Sequence, residues 1–573
     1  MKKIILSALA LLIVVAAFAQ KPKPEPKPKP EPKPKPAPKA KVKKGDEPIQ
    51  YSKPFAEPEG WTKLLQMQSG YTLMFEVTER DGMKLSVYNE KHVSTGAKPI
   101  AFKTVIKKMQ YVDILGIYEI NKQAVVFIQQ YEKPNPQLIR VIIDPKTGKL
   151  MSEDVIANLP EMDMGQGYAM AFGNVDPPQF EVVKDNSSDS YAVVIYNSFA
   201  EETAKRIELV AYDGNHKETA RAFYNCPAEY KYLRYLNAYT YGKSFTYLVV
   251  YGYNTRSSGG DDSRIYVARL KNGNTTFKSV ELPYTDDFDE TSCEISFNKK
   301  AEVLNLLLHT SIKDKKKKIT YRAIMQPIHP EGFKLDSAFD LPAGKINDYA
   351  KSNLGYKKDI EYTTMDVYLD STGNYHALLE YALVTTSTSY GSAGLGVSST
   401  VNVAYGDFGY EVFDNTGNEI TGIAAPVRYE LPGYNSGQGG ISFRYMQAKE
   451  GYKPADRTLA FGKLKHWYKT IDMVYSNNEN IVLLNDKIDN FELKKGEKPS
   501  AVKSMGGVST MIYHIGNDGS YKKDYLFGPP KDKKDAKFCN LYASSYNSAT
   551  NTYATIMTDE GNDKKTFVVW IKW

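Results

Sequence analysis

Leu138-Ile139-Arg140-Val141-Ile142-Ile143-Asp144-Pro145-Lys146-Thr147-Gly148-Lys149-Leu150 holds the pattern that decides the fold. A β-branched, apolar run enters a reversal built from Asp, Pro and Gly, and a second strand leaves it. The same corner returns along the chain. It reads Tyr88-Asn89…Thr95-Gly96, Tyr212-Asp213-Gly214-Asn215, Leu270-Lys271-Asn272-Gly273, His329-Pro330-Glu331-Gly332, Phe413-Asp414-Asn415-Thr416-Gly417 and Asn517-Asp518-Gly519. Between Asn89, Asp144, Asp213, Lys271, His329, Asp414 and Asn517 the intervals are 55, 69, 58, 58, 85 and 103 residues. A repeat of this length, made of strands, points to a radial β-array.

Working outward from the corners, residues 46–573 divide into units of four strands, A to D. In the second unit these are Ile114–Ile120, Ala124–Gln130, Leu138–Ile143 and Leu150–Ile156. The first unit is Trp61–Met67, Tyr71–Thr78, Met83–Tyr88 and Lys98–Val105, and the fifth ends with Phe333–Phe339. The eighth stops after three strands, at Thr566–Trp573. Pro48–Ser52 is strand-like and otherwise unpaired, so it is expected to supply the missing fourth strand and remove an exposed sheet edge. The fold class is therefore all-β, and the chain resembles the β-propeller superfamily. About eight four-stranded blades are expected, seven if Trp61–Met67 is not a strand, with the ring closed by an N-terminal strand. The resemblance is architectural: no WD40, kelch or Asp-box motif occurs.

The ends of the blades differ. A–B turns such as Gln68-Ser69-Gly70 and Asp370–Asn374 are tight. The D–A crossings Leu159–Gln179 and Leu341–Asp359, the 432–470 insertion, and the B–C loops Ser387–Asp407 and Lys487–Gly507 are long. Long loops on a rigid β scaffold are where binding sites concentrate, so the B–C/D–A face is the expected working face. Within the insertion, Phe443, Tyr445, Tyr452, Trp467 and Tyr468 are candidate binding residues, able to stack on a sugar ring or fill a partner's pocket.

Ahead of the folded part, Met1-Lys2-Lys3, the apolar run Ile4–Phe18 and Ala17-Phe18-Ala19 read as a signal peptide over residues 1–19. Residues 20–45 read as a Pro/Lys-rich linker, disordered or in polyproline II, because proline fixes φ and donates no amide hydrogen. At about 3.1 Å per residue, residues 21–44 span roughly 70 Å. In composition, residues 21–38 resemble the Pro/Lys spacer of TonB-type energy-transducing proteins. Of the net charge of +7, two come from Lys2 and Lys3 and eight from residues 21–44, which leaves −3 on residues 45–573. This balance argues against nucleic acid as a partner and leaves the basic tail as a contact for anionic surfaces.

No HExxH, GxSxG or Walker-type loop is present. The seven histidines stand at no metal-ligand spacing and are expected at turns and on the surface. Cys226, Cys293 and Cys539 form no CxxC. Asp286, Asp287, Asp289 and Glu290 offer hard oxygens suited to Ca²⁺, but lack the spacing and glycine of an EF-hand loop, so no cofactor is expected. The reading these features support is an exported, non-catalytic propeller. It would serve as a binding or scaffold module in the periplasm or at the outer membrane of a bacterial envelope, with a protein or glycan partner. A carbohydrate-active or other hydrolytic propeller is the first alternative, and would need paired carboxylates at the axial funnel. A TonB-like anchored spacer protein is the second.

Overall fold

A computed structural model describes residues 49–573, apart from 59, 79, 108–111, 133–134, 167–177, 186, 255–262, 284–287, 299–300, 314–318, 371, 391–396, 431–433, 436–458, 462–465, 469, 477–478 and 562–563. Eight antiparallel sheets, each built on a four-strand path A to D, form a ring. Their first strands are Trp61–Gln66, Val112–Ile120, Gln179–Lys184, Tyr232–Tyr241, Phe288–Asn298, Thr363–Leu369, Ile471–Ser476 and Lys537–Asn547.

Polar and aromatic contacts join these inner strands and their turns, blade to blade. Gln68 N–H donates to Glu119 Oε2 (2.6 Å), Tyr118 Oη to the Val182 carbonyl (3.1 Å) and Gly242 N–H to Asp185 Oδ2 (3.1 Å). Asn237 Nδ2 donates to the Cys293 carbonyl (2.7 Å) and Asn298 Nδ2 to that of Leu369 (3.0 Å). Tyr368 stacks on Tyr475 at 4.0 Å, and Ser544 Oγ donates to Asp472 Oδ2. The circle ends where Trp61 Nε1 donates to Tyr542 Oη at 2.6 Å.

Ile49–Tyr51 closes the ring as expected, pairing with Lys565–Lys572 in the register Ile49↔Ile571 and Tyr51↔Val569. Trp570, 2% exposed, reaches across from blade 8 to donate Nε1–H to Thr72 Oγ1 of blade 1, and His92 stacks on its indole at 3.8 Å. The core lies between blades. Val125, Phe127 and Leu138 of blade 2 pack with Phe180 and Val193 of blade 3, all fully or nearly fully buried. Inner strands covered on both faces read as continuous apolar runs, which is why Leu304, Leu306, Leu307 and Leu308 stand so close together.

The recurring corners are the C–D turns of blades 1 to 7, and four share one device. Asn89, Asp144, Asp213 and Asp414 each turn a side-chain oxygen back to accept two backbone N–H groups of their own turn. Gly417 completes one of them at φ +89°, where a side chain would also strike Phe339.

Several expectations are corrected. The fourth strand of blade 1 is Ser94–Pro99, exposed throughout, and not Lys98–Val105. The apolar residues Ile100 and Phe102 that suggested the later span follow the strand and pack on the core between blades 1 and 2. Phe333–Phe339 is not one strand: Phe333, at φ +52° with its ring buried, precedes the strands Lys334–Leu335 and Phe339–Asp340. Much of Ser387–Asp407 is not loop: Tyr375–Tyr390 and Val397–Phe413 extend one ladder outward. Its Ser/Thr run lacks apolar alternation, and backbone pairing does not require any. The Leu341–Asp359 crossing contains a helix, Gly344–Tyr349, too short to show a 3.6-residue period, followed by a π turn at Ala350–Leu354. Among the described residues no helix is long and apolar enough to cross a membrane.

Candidate functional site

The B–C/D–A end of blade 6 carries a pocket of about 570 Å³. One wall is the crossing that leads into the blade, with Tyr356, Asp359, Ile360 and Glu361. Tyr381, Tyr405, Gly406 and Asp407 come from the middle of the blade's second and third strands, where the ladder between Glu380↔Phe408 and Ala382↔Tyr405 is bulged, and Val427 and Arg428 follow its fourth strand. Lys498 and Pro499 come from the long loop of blade 7. Tyr381 packs so close to Gly406 that any side chain there would collide with it, at 2.6 Å from Cδ1.

Backbone bonds tie the three walls to one another. Val502 N–H donates to the Arg428 carbonyl (2.7 Å), and Glu430 N–H to that of Val502 (3.1 Å). The tip of the same loop joins the crossing, with Gly496 N–H on the Leu354 carbonyl (2.9 Å) and Lys495 Nζ on that of Ser352 (2.6 Å). Asn490 holds the loop's middle by two bonds to Ser500 and donates Nδ2–H to the buried Asp486. Such cross-linking fixes the walls before any ligand arrives.

Asp407 is the buried charge of the pocket, 6% exposed. The Val427 N–H donates to its Oδ1 at 3.0 Å, and the Tyr356 hydroxyl also bonds it. Burial outweighs both and pushes its carboxyl up to about 6, so it titrates near neutrality. Tyr356 and Tyr362 are raised in turn, chiefly by burial and then by the charge of Asp407. At the rim, Glu430 takes both the Arg428 guanidinium and Lys503, and Asp359 pairs with Lys351 at 2.5 Å.

A second pair of acids stands behind the crossing. Glu411, fully buried, and Glu419 accept the first backbone N–H groups of the Gly344–Tyr349 helix. Burial and the neighbouring Glu419 hold the Glu411 carboxyl well above the ordinary range. These acids dock a helix and line no described cavity. On the opposite face, His376 departs from the expected surface location and is fully buried. Its Nε2 meets Asp370 Oδ2 at 2.9 Å and its Nδ1 meets Tyr410 Oη at 2.6 Å. Burial keeps this imidazole neutral. The chain of three resembles a charge relay, but it opens on no described cavity and joins blade 6 to Asn480 of blade 7.

Of the residues singled out by sequence, Phe443, Tyr445, Tyr452, Asp286 and Asp287 lie outside the described residues. Trp467 and Tyr468 fall in the strand His466–Tyr468, which pairs with Leu459–Phe461. Asp289 and Glu290 stand at the start of the blade 5 inner strand, beside its bulge. The side chains of these four lie outside the described residues. Among the described residues no group of three His, Cys, Asp or Glu could hold a metal ion. Asp407 and its tyrosines were not foreseen. The one local signal was Gly406-Asp407, a glycine at what proves to be a bulge inside Val397–Phe413, and its partners come from distant segments.

The class defined by this strand pairing is an eight-bladed β-propeller. No family model matches the chain, and no curated protein matches it in sequence. Among solved structures it is similar to a prolyl endopeptidase, at 10% identity and TM-score 0.35, over 88% of this chain and 55% of that one. A post-proline cleaving enzyme from Rickettsia typhi aligns at 10% identity and TM-score 0.34, over 88% and 58%. The chain thus spans little more than half the length of these two proteins. The polysaccharide lyase Uly1 aligns at 8% identity and TM-score 0.36, over 81% of this chain and 91% of that one. At these values the likenesses carry no activity across.

Proposed function

We propose that this protein is an exported, non-catalytic propeller that binds an envelope partner through its B–C/D–A face, with the Asp407 pocket as the point of contact. The observation that supports this reading is a cavity whose walls come from three separate segments and are bonded together by backbone groups. A preformed concave site with aromatic walls and a few convergent charged groups is the usual form of a ligand site. The leader would deliver the chain across the membrane, and the Pro/Lys segment would act as spacer and contact anionic surfaces.

The test is calorimetric titration of the mature protein with soluble envelope glycans and partner fractions. A saturable ligand that Asp407→Asn weakens at least tenfold, and that is recovered chemically unchanged, supports the reading. A second reading has its own observation: three acids line the pocket, and one titrates near neutrality, as a general acid should. Turnover of any polysaccharide that Asp407→Asn abolishes would establish a hydrolase or lyase and remove the binding-module reading.

A further inference from the structure

The pocket is selective in its chemistry. Three tyrosines, Tyr356, Tyr381 and Tyr405, stand on walls from three different strands or crossings. The same pocket holds the Asp407 carboxylate, 94% shielded from solvent, its relative exposure being 6%, with the N–H groups of Val427 and of Asp407 itself and the Tyr356 hydroxyl as donors. The nearby Arg428 is engaged by Glu430. A desolvated carboxylate beside tyrosine rings disfavours an anion and gains little from a neutral group. A cation satisfies both surroundings at once, through ion pairing with the acid and through the negative faces of the rings.

Resting on the binding reading above, we infer that the pocket takes a glycan bearing free amino sugars, seating one ammonium group against Asp407 and its pyranose ring against the tyrosines. A lysine side chain offers the same ammonium on a thin methylene stem and would leave most of about 570 Å³ unfilled. One or two hexosamine rings fill such a space, and their hydroxyls meet Glu361 and Lys498 at the rim.

The experiment is titration of the mature full-length protein at pH 7.5 with glucosamine disaccharide and trisaccharide, with their fully N-acetylated counterparts, and with Nα-acetyl-lysine amide. The amino forms are expected to bind at least tenfold more tightly than either comparison ligand. Asp407→Asn is expected to remove that tenfold preference. Tyr381→Leu, which leaves the acid in place, is expected to weaken amino and acetylated forms alike. Unchanged thermal unfolding of both variants shows that the fold is kept. Equal binding of the acetylated sugars, or tighter binding of the lysine amide, overturns the amino-sugar assignment and leaves the binding module standing. Absence of any sugar binding also overturns it. Cleavage of the oligosaccharides overturns the non-catalytic reading instead.

Discussion

Five aspartates, three on one face of the ring and two on the other, are treated in opposite ways. On the A–B/C–D face, Asp144, Asp370 and Asp414 accept several backbone and hydroxyl donors each, and all three are held below the ordinary carboxylate range. On the B–C/D–A side, Asp407 and Asp486 are buried so that desolvation outweighs their donors, and they are pushed up to about 6 and about 7. The first set is complete within its own turns and strengthens the fold. The second set carries a desolvation cost that the fold itself does not recover, as is common where a surface is kept for a ligand. The comparison therefore predicts that substituting the first three acids damages stability, and that neutralising Asp407 or Asp486 leaves stability intact or improves it.

The largest effect belongs to the ring closure near the turn face. Trp570→Ala removes a fully packed indole, its bond to Thr72 and the His92 stack, and should cost about 3–5 kcal/mol in chemical denaturation. If the loss is under 1 kcal/mol, the joint between blades 8 and 1 is not a principal support of the ring.

Next comes Asp370→Asn. One oxygen of Asp370 serves the N–H groups of Thr372, Gly373 and Asn374, and the other serves His376. An amide keeps one of these roles and strands the other inside the protein, at a cost of about 2–3 kcal/mol. Its pKa is lowered to about 2 in the fold, from an ordinary value of 3.8. Its stabilisation is therefore complete above the ordinary value and lost as pH falls towards about 2. Unfolding curves of wild type and variant should differ most at neutral pH and converge near pH 2. A constant difference across that range would remove the carboxylate from the explanation.

How much of this could be read from the sequence depends on how far apart the interacting residues stand. The C–D corners were legible because Asp144 or Asp414 bonds N–H groups within four positions of itself. The closing strand was legible because an unpaired segment at one end matched a missing strand at the other. The pocket was not, since Tyr356, Tyr381, Asp407 and Lys498 share no spacing rule and meet only through the ring. His376 misled for a related reason. Its neighbour Asp370 looked like part of a tight surface turn, yet both are buried, with Asn480 of blade 7 meeting the imidazole. The choice of the loop face as the place to look did follow from loop lengths, and the pocket lies there.

The smallest expected change sharpens the comparison most, because its sign is reversed. Asp486 is 2% exposed and accepts Lys487 N–H and Asn490 Nδ2–H through a single oxygen, Oδ1. An asparagine keeps that acceptor and carries no charge. The folded-state pKa is raised to about 7 from 3.8, so the folded form binds more protons than the unfolded form between these values. Stability contributed by the neutral carboxyl is therefore present at low pH and declines as pH rises from 3.8 to about 7. Asp486→Asn should match wild type near pH 4 and exceed it by about 1–2 kcal/mol at pH 8. The same substitution at Asp370 loses stability at pH 8. Two Asp→Asn changes in adjoining blades with opposite signs at one pH would establish that the faces differ in how they accommodate charge. A loss at both positions would show that Asp486 is a structural anchor of the blade 7 loop, and would leave Asp407 as the buried acid of the loop face that is free to serve a ligand.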